Sequence, residues 1–328
     1  MATYIGIKGV PIQTIAGDPA NPIAGQVWYN TTANTLKGYG MQGTGAWATG
    51  NNINTPRKNP GSGGLVSTAW IVGGIKGPAV KDETETYDGT SWSETADLTT
   101  GRGYNSGSGS NTAALTFGGV SGPTTTQVDS TELWNATSWT EVNDLNTARN
   151  HMTAQGTSTA ALTVGGYTSP PSVEFGETEE WDGTSWTELA DLTTARHNCA
   201  SSTQGTPTAM IVSGGAPGPF YFLCETWNGT SWTETSNVNS AKVQAGGSGI
   251  ETFALTWGGI NPPWYTCEEW NGTSWTEVGD TAIVCYGTGH AGTATEAWQC
   301  AGLNMPGADV TTTEEWATPN ATKTFTSS

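Results

Sequence analysis

At 328 residues the chain is long enough for two domains, yet repeat proteins and large all-β folds fill this length as one unit, and one long domain is the expectation. With 45 glycines, abundant threonine and serine, 16 tryptophans and only 12% charged residues, the composition favours β structure in water over helices. Basic residues number 11 against 29 acidic ones, and the formal charge of −18 repels phosphate backbones and anionic membranes, which excludes nucleic acid as a partner.

The opening residues Met1-Ala2-Thr3-Tyr4-Ile5-Gly6-Ile7-Lys8 lack the cationic segment and apolar run of a secretory signal. No stretch reaches the roughly 18 apolar residues of a membrane span. The chain is therefore expected to be made in a cytoplasm and not to insert into membranes. Residues 1–24 read as a short strand at 3–8 followed by a loop carrying Gly9-Val10-Pro11 and Asp18-Pro19. Two strand patterns follow, Gly25-Gln26-Val27-Trp28-Tyr29-Asn30 and Thr35-Leu36-Lys37-Gly38-Tyr39, around a turn-rich tetrapeptide. A strand near Ala46-Trp47 then leads to Asn51-Asn52-Ile53-Asn54-Thr55-Pro56-Arg57, whose ending matches Asn143-Asp144-Leu145-Asn146-Thr147-Ala148-Arg149.

From residue 58 onward each unit repeats four strand-like segments. In the unit 103–149 the first is small and polar, and the second, Thr112-Ala113-Ala114-Leu115-Thr116-Phe117, is apolar and ends in Gly118-Gly119. A variable loop follows, and then a hairpin from Thr131-Glu132-Leu133-Trp134 to Ser138-Trp139-Thr140-Glu141. The outer aromatic of that hairpin returns at Tyr39, Tyr87, Trp134, Trp181, Trp227, Trp270 and Trp316, about 43 to 48 residues apart, a period that signals a propeller or solenoid. The turn is Asp88-Gly89, Asp182-Gly183, Asn228-Gly229 or Asn271-Gly272, residue pairs that tolerate the positive φ a tight hairpin requires.

An apolar strand ending in Gly-Gly, an aromatic some 15 residues later, then a Trp and an Arg before the next unit resemble the kelch repeat, over residues 58–284 in full and the flanks in part. The resemblance implies an all-β, kelch-like β-propeller of seven (or six) four-stranded blades. In the first full unit it places Gly73-Gly74 at the end of the second strand, Tyr87 on the third and Trp92 on the fourth. Six double-glycine strands stand against seven hairpins. If residues 3–8 and Gln26 to Tyr29 supply inner strands the ring has seven blades, and the spacing of Arg57 from Arg102 favours that count. If the first 57 residues stand apart, or clasp the last blade, it has six. The domain reading is 1–57 as an attachment segment with the first or closing blade, and 58–328 as the propeller.

Eleven of the 16 tryptophans sit on the hairpin ladder, and repetition at every unit points to packing between blades. Trp264 and Tyr265 lie outside the repeat in a variable loop, the equivalent loop of the preceding unit carries Phe220 and Tyr221, and Tyr167 opens the loop of the unit before. Aromatics in loops the fold does not require are candidate binding residues, and these loops share a face with the Thr-Ala-Arg linkers. His151 and His197 follow repeat arginines, one residue out of phase with each other; with no third ligand placed beside them, no metal site is expected. Arg102, Arg149 and Arg196, with Lys242 in the last place, read as structural caps of the linkers. Glu-Glu pairs such as Glu179-Glu180 recur in most units, whereas an active site should break the repeat. Adjacent strand residues also point to opposite faces. Cys199, Cys224, Cys267, Cys285 and Cys300 contain no Cys-x-x-Cys pair and read as small buried thiols; Cys224 and Cys267 stand where other units carry Thr or Ser. No nucleophile, phosphate loop or cofactor fingerprint is present, so neither catalytic residue nor cofactor is assigned.

The N-terminal pattern, residues 1–7 followed by Gly25 to Lys37, resembles the opening of tail-fibre-like and other virion proteins of marine bacteriophages, which carry kelch-like Glu-Trp-Asn-Gly-Thr-Ser-Trp arrays behind it. The resemblance implies a virion structural protein in the tail fibre or on the particle surface, present in multiple copies and made in the host bacterial cytoplasm. Its partners would be other virion proteins, through the N-terminal segment, and a host cell-surface glycan or protein. The competing readings are a polysaccharide depolymerase and a head decoration protein.

Overall fold

The computed structural model describes residues 12–22, 26–41, 45–122, 126–305 and 307–325; the strand expected at 3–8 lies outside the described residues. The chain forms two compact units, one drawn from Met1–Ala46 with Ala317–Ser328 and the other from Trp47–Trp316. The first holds one sheet, in the order Gln13–Ile15, Val27–Asn30, Thr35–Met41, Asn320–Phe325, with the first pair parallel and the others antiparallel. Asp18 ties its loop to this sheet by accepting hydrogen bonds from Trp28 Nε1, Asn30 Nδ2 and Lys37 Nζ at 3.1, 2.7 and 2.8 Å.

The second unit builds six four-stranded antiparallel sheets. Their inner strands, blades 1 to 6 in order, are Gly61–Gly63, Ser106–Ser110, Thr153–Thr157, Ala200–Ser201, Gly246–Ile250 and Gly289–Gly292. Each inner strand neighbours the next, and that of blade 6 returns to that of blade 1, so the sheets close into a ring: the unit is a β-propeller. These strands are rich in Gly, Ser and Thr because six of them must approach around one axis. Hydroxyls stitch them laterally, as where Ser62 Oγ donates to the His290 carbonyl and Ser248 Oγ to that of Thr293.

The ring has six blades, the smaller of the two counts left open by the sequence. Thr35–Met41, which carries Tyr39, pairs within the first unit and makes no blade. Blade 6 takes its second and third strands from Glu296–Cys300 and Thr313–Ala317 and its outer strand from Ala46–Gly50, far earlier in the chain. Trp316 therefore meets Trp47 at 5.7 Å between ring centroids, where the other blades have a hairpin partner. By its internal contacts the chain divides after residue 46, and the segment from Ala317 onward groups with the first unit.

The propeller has no single core. Six separate apolar clusters each fill the gap between two successive blades: Leu162 and Val164 of blade 3 meet Met210, Val212, Trp227 and Trp232 of blade 4, and Ile71 and Trp92 of blade 1 meet Trp298 and Cys300 of blade 6. The two hairpin tryptophans have distinct tasks. Those of the third strand donate from Nε1 to a carbonyl in the first hairpin of their own blade, as Trp181 does to Ser158 at 3.1 Å. Those of the outer strand reach back one blade to a threonine at the start of its third strand: Trp139 to Thr84, Trp186 to Thr131, Trp232 to Thr178, and Trp92 to Thr313 across the seam, at 2.8 to 3.2 Å. In the two remaining blades Trp275 faces Cys224 and Trp47 faces Cys267, and neither indole N–H gains an oxygen acceptor.

All five cysteines are free, four of them buried. Replacing Cys224→Thr or Cys267→Thr restores the hydroxyl the other blades use. Each substitution is expected to raise the unfolding free energy by about 1 kcal/mol, the net worth of one buried hydrogen bond. Calorimetric or urea unfolding of the two variants checks this; a fall in stability would show that the thiol's size, not its chemistry, is what the position requires.

Candidate functional site at the channel mouth

Each blade receives its incoming linker through one buried carboxylate. The second residue of the third strand, Glu85, Glu132, Glu179, Glu225, Glu268 or Glu314, accepts a backbone N–H of the linker, from Asn54, Thr99, Asn146, Thr193, Asn239 and Ala282 in turn. In five blades a buried cation from the same linker completes the pair. Arg57 and Arg102 bond Glu85 and Glu132, Arg149 and Arg196 bond Glu179 and Glu225 at 2.8 and 2.6 Å, and Lys242 lies 3.9 Å from Glu268. The repeat arginines and the first glutamate of each pair thus serve the fold. Blade 6 has Cys285 at the cation's position, and Glu314 takes the Gln299 amide instead at 2.7 Å; without a cation, burial raises its pKa above the ordinary carboxylate value.

Fixing the linker places its next residues at the rim of the channel. Two positions beyond each cation stand Asn59, Tyr104, His151, Asn198, Gln244 and Gly287, and all six have φ between 49° and 61°. Each donates its backbone N–H to the carbonyl of the previous member, Asn59 to Gly287, Tyr104 to Asn59, and so round to Gly287, which donates to Gln244. Six hydrogen bonds of 2.7 to 3.2 Å form a closed circle about the propeller axis. The circle requires a left-handed backbone, which Gly and Asn adopt readily and His tolerates, while Tyr and Gln are strained there by about 1 kcal/mol. At Gly287 even a Cβ would collide with the Asn59 side chain.

All six residues line one cavity of about 100 Å³ at the linker end of the channel, with Ser62, Ser106, Thr153, Ser201 and His290 from the inner strands below. No residue in its lining is an Asp, Glu, Lys or Arg, in a chain of formal charge −18. The Asn59, Asn198 and Gln244 amides and the Tyr104 hydroxyl have no protein partner among the described residues, whereas clamp asparagines such as Asn146 and Asn239 bond through their side chains.

Tyr104, His151, His197 and Tyr167 form an aromatic cluster beside this cavity. Ring centroids are 4.1 Å apart for Tyr104 and His151, 5.8 Å for the two histidines, and 4.8 Å for His197 and Tyr167. Burial, then the neighbouring His197, pushes His151 down to about 3; burial also lowers His197, against the pull of Glu174, and pushes His290 down to about 4. These imidazoles are neutral at pH 7. His151 Nδ1 lies 2.5 Å from Asn150 Oδ1 and His290 Nδ1 3.1 Å from the Thr288 carbonyl, so in each neutral ring Nδ1 carries the proton and Nε2 is an acceptor.

Of the loop aromatics singled out in the sequence, Tyr167 joins this cluster. Phe220 and Tyr221 are half-buried in a single 3₁₀ turn in the loop between the second and third strands of blade 4. Trp264, half-buried, and Tyr265, exposed, occupy the same loop of blade 5. Among the described residues these four make no ring contact with the cluster. Val173, Phe222, Ile260, Tyr265 and Met305 are exposed in these loops of blades 3 to 6, which open on the linker side of the ring. Asn59, Tyr104, Asn198 and Gln244 escaped the sequence reading. Their signal was a variable position two residues after each repeat cation, occupied by Asn twice and Gly once. Among the described residues no three His, Cys, Asp or Glu side chains converge closely enough to hold a metal ion.

No protein-family model and no curated protein matches the sequence. Among solved structures, that of YjhT superposes with a TM-score of 0.67 at 11% sequence identity, over 84% of this chain and 99% of that one. The likeness is one of fold.

Each depressed histidine binds a proton more readily unfolded than folded. Its stability contribution is fully present above about pH 6.5, the unfolded value, and falls as pH drops towards the folded value. Half-buried Glu177 and Glu269 and buried Glu314, whose carboxyls burial raises above the ordinary carboxylate range, act in the opposite sense. The difference between the protein and a His290→Gln variant isolates one histidine: the urea midpoint of the variant should decline less between pH 6.5 and pH 4. Parallel declines would place the His290 ring in contact with solvent.

Proposed function

We propose that the protein is a non-enzymatic bacteriophage virion component, its kelch-like propeller displayed in a tail fibre or on the particle surface with the linker face turned to a host-surface glycan or protein. The observation that supports this reading is the gathering on one face of the side chains that vary most between units. The left-handed ring, the aromatic cluster and the exposed apolar residues Val173, Phe222, Ile260, Tyr265 and Met305 lie on the linker side, against Leu65 and Ile250 in hairpins of the other side. On the opposite side the Asx turns repeat nearly unchanged, with Asp88, Asn135, Asp182, Asn228 and Asn271 each accepting two backbone N–H groups. A repeat protein keeps what its fold needs and varies what its ligand needs. The non-enzymatic part of the reading is supported by the recurring buried glutamates, each committed to a linker amide in its own blade.

Attachment to the particle falls, in this proposal, to the small unit of residues 1–46 and 317–328. Gold-labelled antibody on intact particles from the lysate in which the protein occurs tests the assignment. Label at the tail or its fibres is the expected result and label over the head would support decoration, while no label on any particle would sink the virion reading. Release of soluble product from host polysaccharide by the purified protein would replace it with a depolymerase.

A further inference from the structure

We infer that the channel mouth holds an uncharged sugar, bound over the aromatic pair Tyr104 and His151 and hydrogen-bonded by the amides of Asn59, Asn198 and Gln244. The inference deepens the contact-face reading above and rests on it for its biological setting. Its physical basis is separate.

The first argument is backbone strain. Six equivalent positions share one left-handed conformation, and stability alone selects Gly or Asn at every one. Asn59, Asn198 and Gly287 comply. Tyr104 and Gln244 hold φ of 55° and 54°, which side chains of their kind rarely adopt, while His151, at 56°, is tolerated there but is neither Gly nor Asn. Strain that clusters on one rim, around one cavity, marks side chains kept for what they contact.

The second argument is hydrogen-bonding capacity. Three amides and a phenol hydroxyl with no protein partner surround the cavity, and the neutral imidazoles of His151 and His290 add an Nε2 acceptor each. Amides both donate and accept, as do the hydroxyls of a sugar. The Tyr104 and His151 rings stack on each other with centroids 4.1 Å apart, and the outer face of the stack is the apolar surface on which the C–H face of a pyranose rests. The third argument is charge. The lining lacks any formal charge, so nothing in it pairs with a carboxylate, phosphate or ammonium. These properties together fit an uncharged polyhydroxylated ring, entering by one edge because the cavity is only about 100 Å³.

The repeat supplies its own control substitutions. Tyr104→Asn and His151→Asn place at the rim the residue that blades 1 and 4 already carry there, relieving strain while removing the rings. Saturation-transfer NMR of the whole chain with glucose, galactose, mannose, N-acetylglucosamine, lactose and maltose, and with glucuronate and N-acetylneuraminate as charged controls, reads binding directly. At least one uncharged sugar should bind and the charged ones should not. Both variants should unfold at or above the temperature of the parent and bind the sugar at least tenfold more weakly. Absence of binding by every uncharged sugar, equal binding of the charged ones, or unchanged affinity in both variants overturns the inference. Adsorption to host cells that protease treatment abolishes and periodate oxidation spares would assign a protein ligand in place of the sugar. That result would leave the contact-face reading standing, whereas sugar binding with no label on any particle would remove the virion reading alone.

Discussion

The propeller depends on one buried contact made six times: a third-strand carboxylate that accepts the backbone of the linker entering its own blade. A carboxylate taken from water is costly unless its lone pairs are filled. Here the linker N–H fills one, in four blades an arginine from the same linker fills another, and in blade 5 Ser240 does so with Lys242 3.9 Å away. Where a cation is present its loss leaves a buried charge uncompensated, at a cost of about 3–5 kcal/mol, and blade 6, which has none, fills the place with the Gln299 amide. The contact therefore fixes the path of the linker more firmly than the linker's own sequence does. Only because that path is fixed do the following residues stand in a circle, with their backbone groups exchanged and their side chains at the axis.

Much of this was legible in the sequence, and the limits are physical. The hairpin period announced the blades, since tryptophans at every unit have to pack against something that also repeats. The recurrence of Cys224 and Cys267 where other units have threonine was visible as well, and the structure supplies the reason in the indole that faces them. The number of blades was harder. Tyr39 lies on a strand with the right spacing and an aromatic at the right place, yet its partners are Val27–Asn30 and Asn320–Phe325 in a separate sheet. Spacing along the chain carries no information about which strand pairs with which.

The rim was the least legible part. Asn59, Tyr104, His151, Asn198, Gln244 and Gly287 share no chemistry that a sequence comparison registers. What unites them is a backbone conformation, and that is set by hydrogen bonds between blades. His197 and His151 drew notice as histidines, one residue out of phase, and that offset is what the fold uses: His151 is a member of the circle and His197 precedes one. Ala136 shows the converse case. It keeps φ of 72° in a turn where the other units have glycine, so a position with one clear conformational demand was filled against it.

The outer strand of blade 6 has a consequence for synthesis. Ala46–Gly50 leaves the ribosome before any blade is complete, and the strand it must join, Thr313–Ala317, follows every strand of the other five blades. For the whole interval the partner of Trp47 does not exist, and the apolar faces that become the cluster between blades 6 and 1 have nothing to cover them. Loop closure on this scale is slow, because its entropy must be lost before any contact offsets it. Five blades can form in order behind the emerging chain, but the linker that carries Gly287 is held only when Thr313–Ala317 brings Glu314 to Ala282. The mouth, assembled from all six blades, is thus completed late, and a nascent chain cannot present it before residue 317 has emerged.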